Sequence, residues 1–144
     1  MMTRTTVIAL FLAVVSAPGA ANETVTHGSS LAVDAAHDAS LVMDLSGALW
    51  RVPPGGGEAR LLIEDPGRVT RPRLSPDGEQ VVYAANANGE RGLRVHSLRT
   101  DETRTVGSGA WLNLHPDWHP DGERVVFASD RRDSGFDIWE VDLP

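Results

Sequence analysis

Beyond its first third, the chain alternates short apolar runs with polar turns, at a spacing too tight for helices of useful length. Val81-Val82-Tyr83-Ala84-Ala85 and Val125-Val126-Phe127-Ala128 are the clearest runs. Each follows a tight-turn sequence, Ser75-Pro76-Asp77-Gly78 or His119-Pro120-Asp121-Gly122. Proline presets φ at the second turn position, aspartate bonds back to the backbone, and glycine takes a left-handed conformation without steric cost. A turn of this kind feeding such a run predicts a β-strand. Neither run alternates apolar with polar, so both strands are expected to be covered on both faces.

The turn-and-strand unit repeats. Residues 72–85 align with 116–129 almost without gaps, 44 positions apart. A second shared piece, Leu93-Arg94-Val95-His96-Ser97-Leu98, returns 45 positions later as Ile138-Trp139-Glu140-Val141-Asp142-Leu143. A weaker copy lies upstream: Leu49-Trp50-Arg51-Val52 precedes Leu93 by 44 positions, and His37-Asp38-Ala39-Ser40 stands where the Pro-Asp-Gly turn should be. A period of about 40–45 residues built from short strands is the mark of a β-propeller. The predicted fold is therefore all-β. It is a partial propeller of about three blades of four-stranded antiparallel sheet, spanning residues 30–66, 70–108 and 113–144, with the last blade incomplete. Strands are expected near residues 30–35, 40–44, 48–53 and 59–64 in the first unit. The second has 71–74, 79–85, 92–98 and 103–107; the third has 114–118, 123–129 and 136–143. Pro53-Pro54-Gly55-Gly56-Gly57 reads as a hairpin turn inside the first unit.

The N-terminus carries a different pattern. Arg4 precedes the unbroken apolar run Val7 to Val15, and small residues follow through Gly19-Ala20-Ala21. That layout predicts a secretory signal peptide over residues 1–21, leaving a flexible segment at 22–29 before the blades. The run is shorter than the roughly 20 apolar residues a bilayer span requires, so no membrane insertion is expected after its removal. The formal net charge is −7, which argues against nucleic acid and anionic membrane as partners. There is no cysteine, which excludes disulfides, thiol nucleophiles and cysteine-ligated zinc. Together these features place the chain in a bacterial periplasm or outside the cell.

The repeated Pro-Asp-Gly turn, the following apolar strand, Ala128-Ser129-Asp130-Arg131 and the closing Asp137-Ile138-Trp139-Glu140-Val141-Asp142-Leu143 resemble the TolB-like β-propeller repeat family. The resemblance covers Ser30 to Leu143. It implies an interaction platform of the cell envelope, without cofactor and without catalytic activity. The first unit, Val42 to Pro53 followed by Gly55-Gly56-Gly57-Glu58-Ala59, also resembles the first blade of exported proteins in which a propeller precedes an amidohydrolase barrel. That gives a second expectation: the N-terminal propeller of a larger exported hydrolase, amidohydrolase or serine peptidase, whose catalytic domain is absent. Fewer than three full blades cannot close a ring, so the chain is expected to be a fragment or to associate with itself through exposed blade edges.

Candidate site residues are few. Pro76, Asp77, Gly78, Pro120, Asp121 and Gly122 are expected to be structural turn residues. His115 and His119, with Asp117 and Asp121, have metal-ligand chemistry; His119 falls where Ser75 starts the other turn, so turn capping is the preferred reading. Asp130, Asp133 and Asp137 do not match a calcium-loop spacing, and Arg131 and Arg132 lie among them, so a solvated turn with local ion pairs is expected. Trp50, Trp118 and Trp139 fall within strands and are expected to pack between blades. Trp111 lies on a connection between units and is the candidate partner contact. Ser75 and Ser108 lack the strand–turn–helix setting of a nucleophile elbow, and Gly55-Gly56-Gly57 does not open a helix as a phosphate loop would. The expected role is protein binding, by partners the sequence does not identify.

Overall fold

The computed structural model describes residues 14–15, 23–24, 32–64, 68–87, 90–107, 109, 111–132 and 135–143. Most of the expected signal peptide and the segment after it lie outside these residues. The exceptions are β1 (Val14–Val15) and β2 (Glu23–Thr24), which pair antiparallel. Every other described element is also a strand. The first sheet is β3 (Val33–Ala35), β4 (Leu41–Leu45), β5 (Ala48–Val52) and β6 (Arg60–Glu64). The second is β7 (Thr70–Leu74), β8 (Gln80–Ala87), β9 (Glu90–Ser97) and β10 (Thr103–Val106). The third is β11 (Asn113–Trp118), β12 (Arg124–Arg132) and β13 (Gly135–Asp142). Within each sheet the strands pair antiparallel in chain order, and the third sheet has three strands.

The sheets stack face to face through two apolar interfaces. Val81, Tyr83 and Ala85 of β8 pack with Val42, Leu49 and Val69 from the first sheet side. The intervening residues Val82 and Ala84, with Leu93, Val95 and Val106, pack against Trp118, Val125 and Phe127 of the third sheet. β8 is thus buried on both faces, as its unbroken apolar run requires. β12 is not. Its odd positions Val125, Phe127 and Ser129 are buried, while Val126 and Ala128 are half-buried. The expectation of cover on both faces fails there because the third sheet has a described neighbour on one side only. Trp118 and Trp139 join the interface between the second and third sheets. Trp50 does not pack between described sheets. It pairs with Met43 and Leu61 on the face of the first sheet turned away from the second.

Polar ties cross the same interfaces. Asp34 accepts from the Leu74 amide at 2.8 Å, and Asp44, fully buried, accepts from the amides of Arg71 at 3.1 Å and Ala32. Trp118 Nε1 donates to the Arg73 carbonyl at 2.9 Å. The first strands of the second and third sheets carry a register shift, between Thr70 and Arg73 in β7 and between Leu114 and Asp117 in β11. The bulged residues, Arg71 (φ 54) and His115 (φ 52), are repeat-equivalent and left-handed.

The turns explain their sequences atom by atom. Gly78 donates to the Ser75 carbonyl at 2.8 Å, and Gly122 to that of His119 at 2.9 Å. Asp77 accepts from the Glu79 amide at 3.0 Å, and Asp121 from that of Glu123 at 2.9 Å. The upstream copy makes the same turn without proline or glycine. Ala39 donates to the Ala36 carbonyl, Asp38 accepts from the Ser40 amide at 2.9 Å, and Ala39 carries the positive φ of 64°. The Gly55–Gly57 turn closes with Gly56 donating to the Pro53 carbonyl.

Two predictions follow from these contacts. Gly78→Ala meets open space, so its cost comes from φ alone (+74°) and is expected to be about 1 kcal/mol. Ala39→Gly relieves the same strain and is expected to stabilise by about 0.5 kcal/mol. Urea midpoints of the two variants should move in opposite directions. The second concerns His96, which is buried and bonded through Nδ1 to Thr103 Oγ1 at 3.0 Å. Burial holds its pKa below the ordinary 6.5, against the pull of Asp101 at 3.5 Å. The folded state therefore prefers the neutral ring. Stability should be complete above about pH 6.5, fall as pH drops through that value, and level off once the folded protein also binds the proton. His96→Gln should remove this slope in urea titrations between pH 7.5 and 5.5.

Candidate interaction surface

The up-and-down course of each sheet divides the connections between two ends of the stack. The Pro-Asp-Gly turns lie at one end with the β9–β10 turn. There His119 takes the place of Ser75. Ser75 is buried, its hydroxyl accepts from the Gln80 amide at 2.9 Å, and it also bonds Asp77. His119 instead meets Asp121 through Nδ1 at 2.9 Å. Asp121 binds Arg124 at 2.8 Å, and Arg124 reaches Glu140 at 3.2 Å. The Glu123 amide, then Arg124 and His119, hold the Asp121 carboxyl down to about 2. Asp77 is lowered by the Ser75 hydroxyl first and the Glu79 amide second. His115 is the exposed bulge residue, and its partner in the metal reading, His119, is committed to the turn. Among the described residues no three His, Asp or Glu side chains form a metal-binding group.

At the same end a cleft of about 630 Å³ opens over Val95, lined by Gln80, Ser97, Arg99, Thr103 and Arg104 among others. Arg104 donates to Gln80 at 3.2 Å across it. Gln80, Val95, Ser97 and Arg104 belong to the face of the second sheet that looks toward the third, where the third has no described strand opposite β10.

The opposite end gathers the β4–β5, β8–β9 and β12–β13 hairpins and the connections between sheets. Trp111 lies here and is 45% exposed. The chain beside it is pinned: the Leu112 amide donates to Asp130 Oδ1 at 2.7 Å, and the Asp130 amide returns a longer bond to the Leu112 carbonyl. Asn113, buried, donates to the Gly107 carbonyl and accepts from Arg131. Arg131 also donates to Ser129 Oγ at 3.1 Å and lies over the rings of Phe127 and Trp139, at 5.2 and 4.6 Å. Arg132 covers Trp139 at 4.9 Å. The expected solvated acidic turn is therefore a fastening point. Asp130 ties the connection between sheets, the arginines stack on aromatic rings, and Asp133 lies outside the described residues, as do Ser108 and Pro144. Asn113 and its bond to Arg131 escaped the sequence reading because the two residues lie 18 positions apart; Ala128-Ser129-Asp130-Arg131 was the one available signal.

No protein-family model matches the chain. Curated relatives do. The Tol-Pal system protein TolB of Alcanivorax borkumensis is 34% identical over 64 residues, 44% of this chain and 15% of that protein. The acylamino-acid-releasing enzyme of Sus scrofa is 36% identical over 113 residues, 66% of this chain and 15% of the enzyme. Among solved structures, a TolB from Agrobacterium tumefaciens superposes with a TM-score of 0.67 at 22% identity, covering 84% of this chain and 47% of that one. TolB from Acinetobacter baumannii gives 0.62 at 20% identity, covering 72% and 27%. An acylaminoacyl peptidase gives 0.59 at 17% identity, covering 81% and 24%. The chain has the fold of β-propeller blades and is similar to TolB and to acylaminoacyl peptidase propellers. It spans 15% of each of the two curated relatives named here.

One substitution probes the exposed tryptophan directly. A Cβ on Gly109, at φ +148°, would sit 2.7 Å from Trp111 Cδ1. Gly109→Ala is expected to displace the indole and shift its fluorescence, a change absent from the Trp111→Phe background, and to lower the unfolding free energy by about 1–3 kcal/mol because φ +148° suits glycine.

Proposed function

We propose that the chain is a non-enzymatic, periplasmic protein-binding module that presents the connection-rich end of its stacked sheets to a partner in the cell envelope. The observation that carries this reading is Trp111: a large aromatic, half in solvent, on a backbone pinned by Asp130 at 2.7 Å. An aromatic held on a rigid support is the side chain type that anchors protein interfaces. The envelope location rests on the apolar leader with its small-residue end, and on the likeness to TolB. The acidic balance of the chain disfavours nucleic acid. Pro76, Asp77, Gly78, Pro120, Asp121 and Gly122 serve the scaffold in this reading and do not touch the partner.

A second reading has its own support. The match to the pig acylamino-acid-releasing enzyme covers more of this chain than the match to TolB, 66% against 44%. In that reading the sheets belong to the propeller of a larger exported hydrolase and gate or position its substrate. The DNA after codon 144 separates the two: further blades and then a stop support the binding module, and a hydrolase domain supports the second.

The direct test is crosslinking of the exported chain in intact cells. Trp111→Ala is expected to cut partner capture at least tenfold, as loss of an aromatic anchor does, with thermal unfolding unchanged. Capture that is indifferent to Trp111 would remove the basis of the proposal.

A further inference from the structure

Backbones of successive sheets come closest at the first strands: β7 lies against β3 and β4, and β11 against β7 and β8. The stack therefore fans about an axis on the first-strand side. β7 and β11 each pair with a strand on one edge only, so the other edge faces that axis. Arg71 and His115 sit at the bulges of these two strands, 44 positions apart. Both are exposed, whereas the prolines after them, Pro72 and Pro116, are buried. Neither side chain makes a hydrogen bond or an ion pair among the described residues. Asp117, the nearest carboxylate along β11, is paired with Val126 and shares that residue's sheet face. The main chain of Arg71 is accounted for, since its amide serves Asp44 at 3.1 Å; its side chain is not. A positive φ is costly for any residue with a Cβ, and a residue before proline is normally extended. Glycine would make the same bulge without that cost. Both positions carry a long or ring-bearing nitrogen donor instead.

We propose that Arg71 and His115 form a carboxylate-binding site on the axis side of the first strands, taking the carboxylate of an acidic peptide or of a free organic acid. The guanidinium fork matches a carboxylate with two parallel N–H donors, and the imidazole supplies a further one. Stacked sheets lie about 10 Å apart, a gap that an arginine side chain and an imidazole bridge through one small anion. The single permanent charge of Arg71 matches the single charge of a carboxylate, and a phosphate dianion would be left partly unmatched on a chain of net charge −7. That same acidity means that general attraction does not bring anions to this surface. Bulges re-aim side chains beside binding sites, and strained backbone is kept where the side chain it presents has a task. The inference needs neither end of the chain. Further sheets before or after these three would surround the same axis, and propellers keep a channel there.

Magnetic-resonance titration of the full chain tests it, with two probes: N-acetylglycine as a free acid, and an end-capped peptide carrying one glutamate. At least one probe should bind saturably and move the His115 ring signals. Binding of N-acetylglycine alone identifies a free acid as the ligand, and binding of the peptide alone a polypeptide; either supports the site. Arg71→Met and His115→Leu should each weaken binding about tenfold, as loss of a charge-assisted hydrogen bond does. Arg71→Gly and His115→Gly should weaken it as much, yet leave the urea midpoint at or above that of the unsubstituted chain, because glycine relieves the positive φ. Arg60→Gln, an exposed cation on β6, should leave binding unchanged. Trp111→Ala should also leave it unchanged, so this inference and the reading of Trp111 fail separately. The proposal is overturned by no saturable binding of either probe, or by inorganic phosphate binding more tightly than both. A loss matched by Arg60→Gln, or glycine variants with a lowered midpoint, overturns it as well.

Discussion

A strand whose alternate side chains must leave water in both directions has to lie between two other layers. β8 is such a strand. Val81 and Tyr83 enter one interface and Val82 and Ala84 the other, and none of the first three retains accessible surface. Fully burying side chains of this size contributes about 1.5–3 kcal/mol each. The cooperative unit is therefore the pair of interfaces and not the individual sheet. The first and third sheets are each held by one such contact, and the middle sheet by two. The ionic contacts are peripheral by comparison: Arg51–Asp38 and Arg124–Glu140 are largely solvated, and pairs of that kind contribute little.

The turns do a separate job. They fix where each strand begins, so that the apolar set points the right way; a slip by one residue would exchange the two faces. Asp77, Asp121 and Asp38 each satisfy the amide two positions on, and a left-handed residue follows in every case. The aspartate and the conformation are thus common to all three units, while proline and glycine are shared by two. Proline and glycine lower the cost of a geometry that hydrogen bonding already specifies.

Much of this was legible in the chain. The 44-residue spacing, the turn sequences and the uninterrupted apolar runs located eleven strands to within a few residues, including those around the degenerate His37–Ser40 turn. What the sequence concealed has a common cause: it depends on what lies across an interface. Val126 reads like Val82, yet one is half-buried and the other fully buried, because among the described residues only the second has a sheet above it. Trp50 reads like Trp139 but faces away from its neighbour. Asp130 and Arg131 read as a charged loop, and their bonds to Leu112 and Asn113 appear only when the third sheet has folded. Burial can be read from alternation along one strand; the identity of the covering layer cannot.

The carboxylates that cross between the first two sheets bind main-chain amides. Asp34 takes the amide of Leu74 and Asp44 that of Arg71, so both bonds end on main-chain atoms. Such a fastening is blind to the neighbour's sequence, provided the backbone keeps its bulge. As far as these two bonds go, the side chain at position 71 can drift, and a unit can be exchanged for a diverged copy, without matching changes at Asp34 or Asp44, whereas Leu74 also packs on the cluster that holds Val42 and Leu49. A chain assembled this way can lengthen or shorten by recombination in steps of one sheet, each step keeping the joints it inherits.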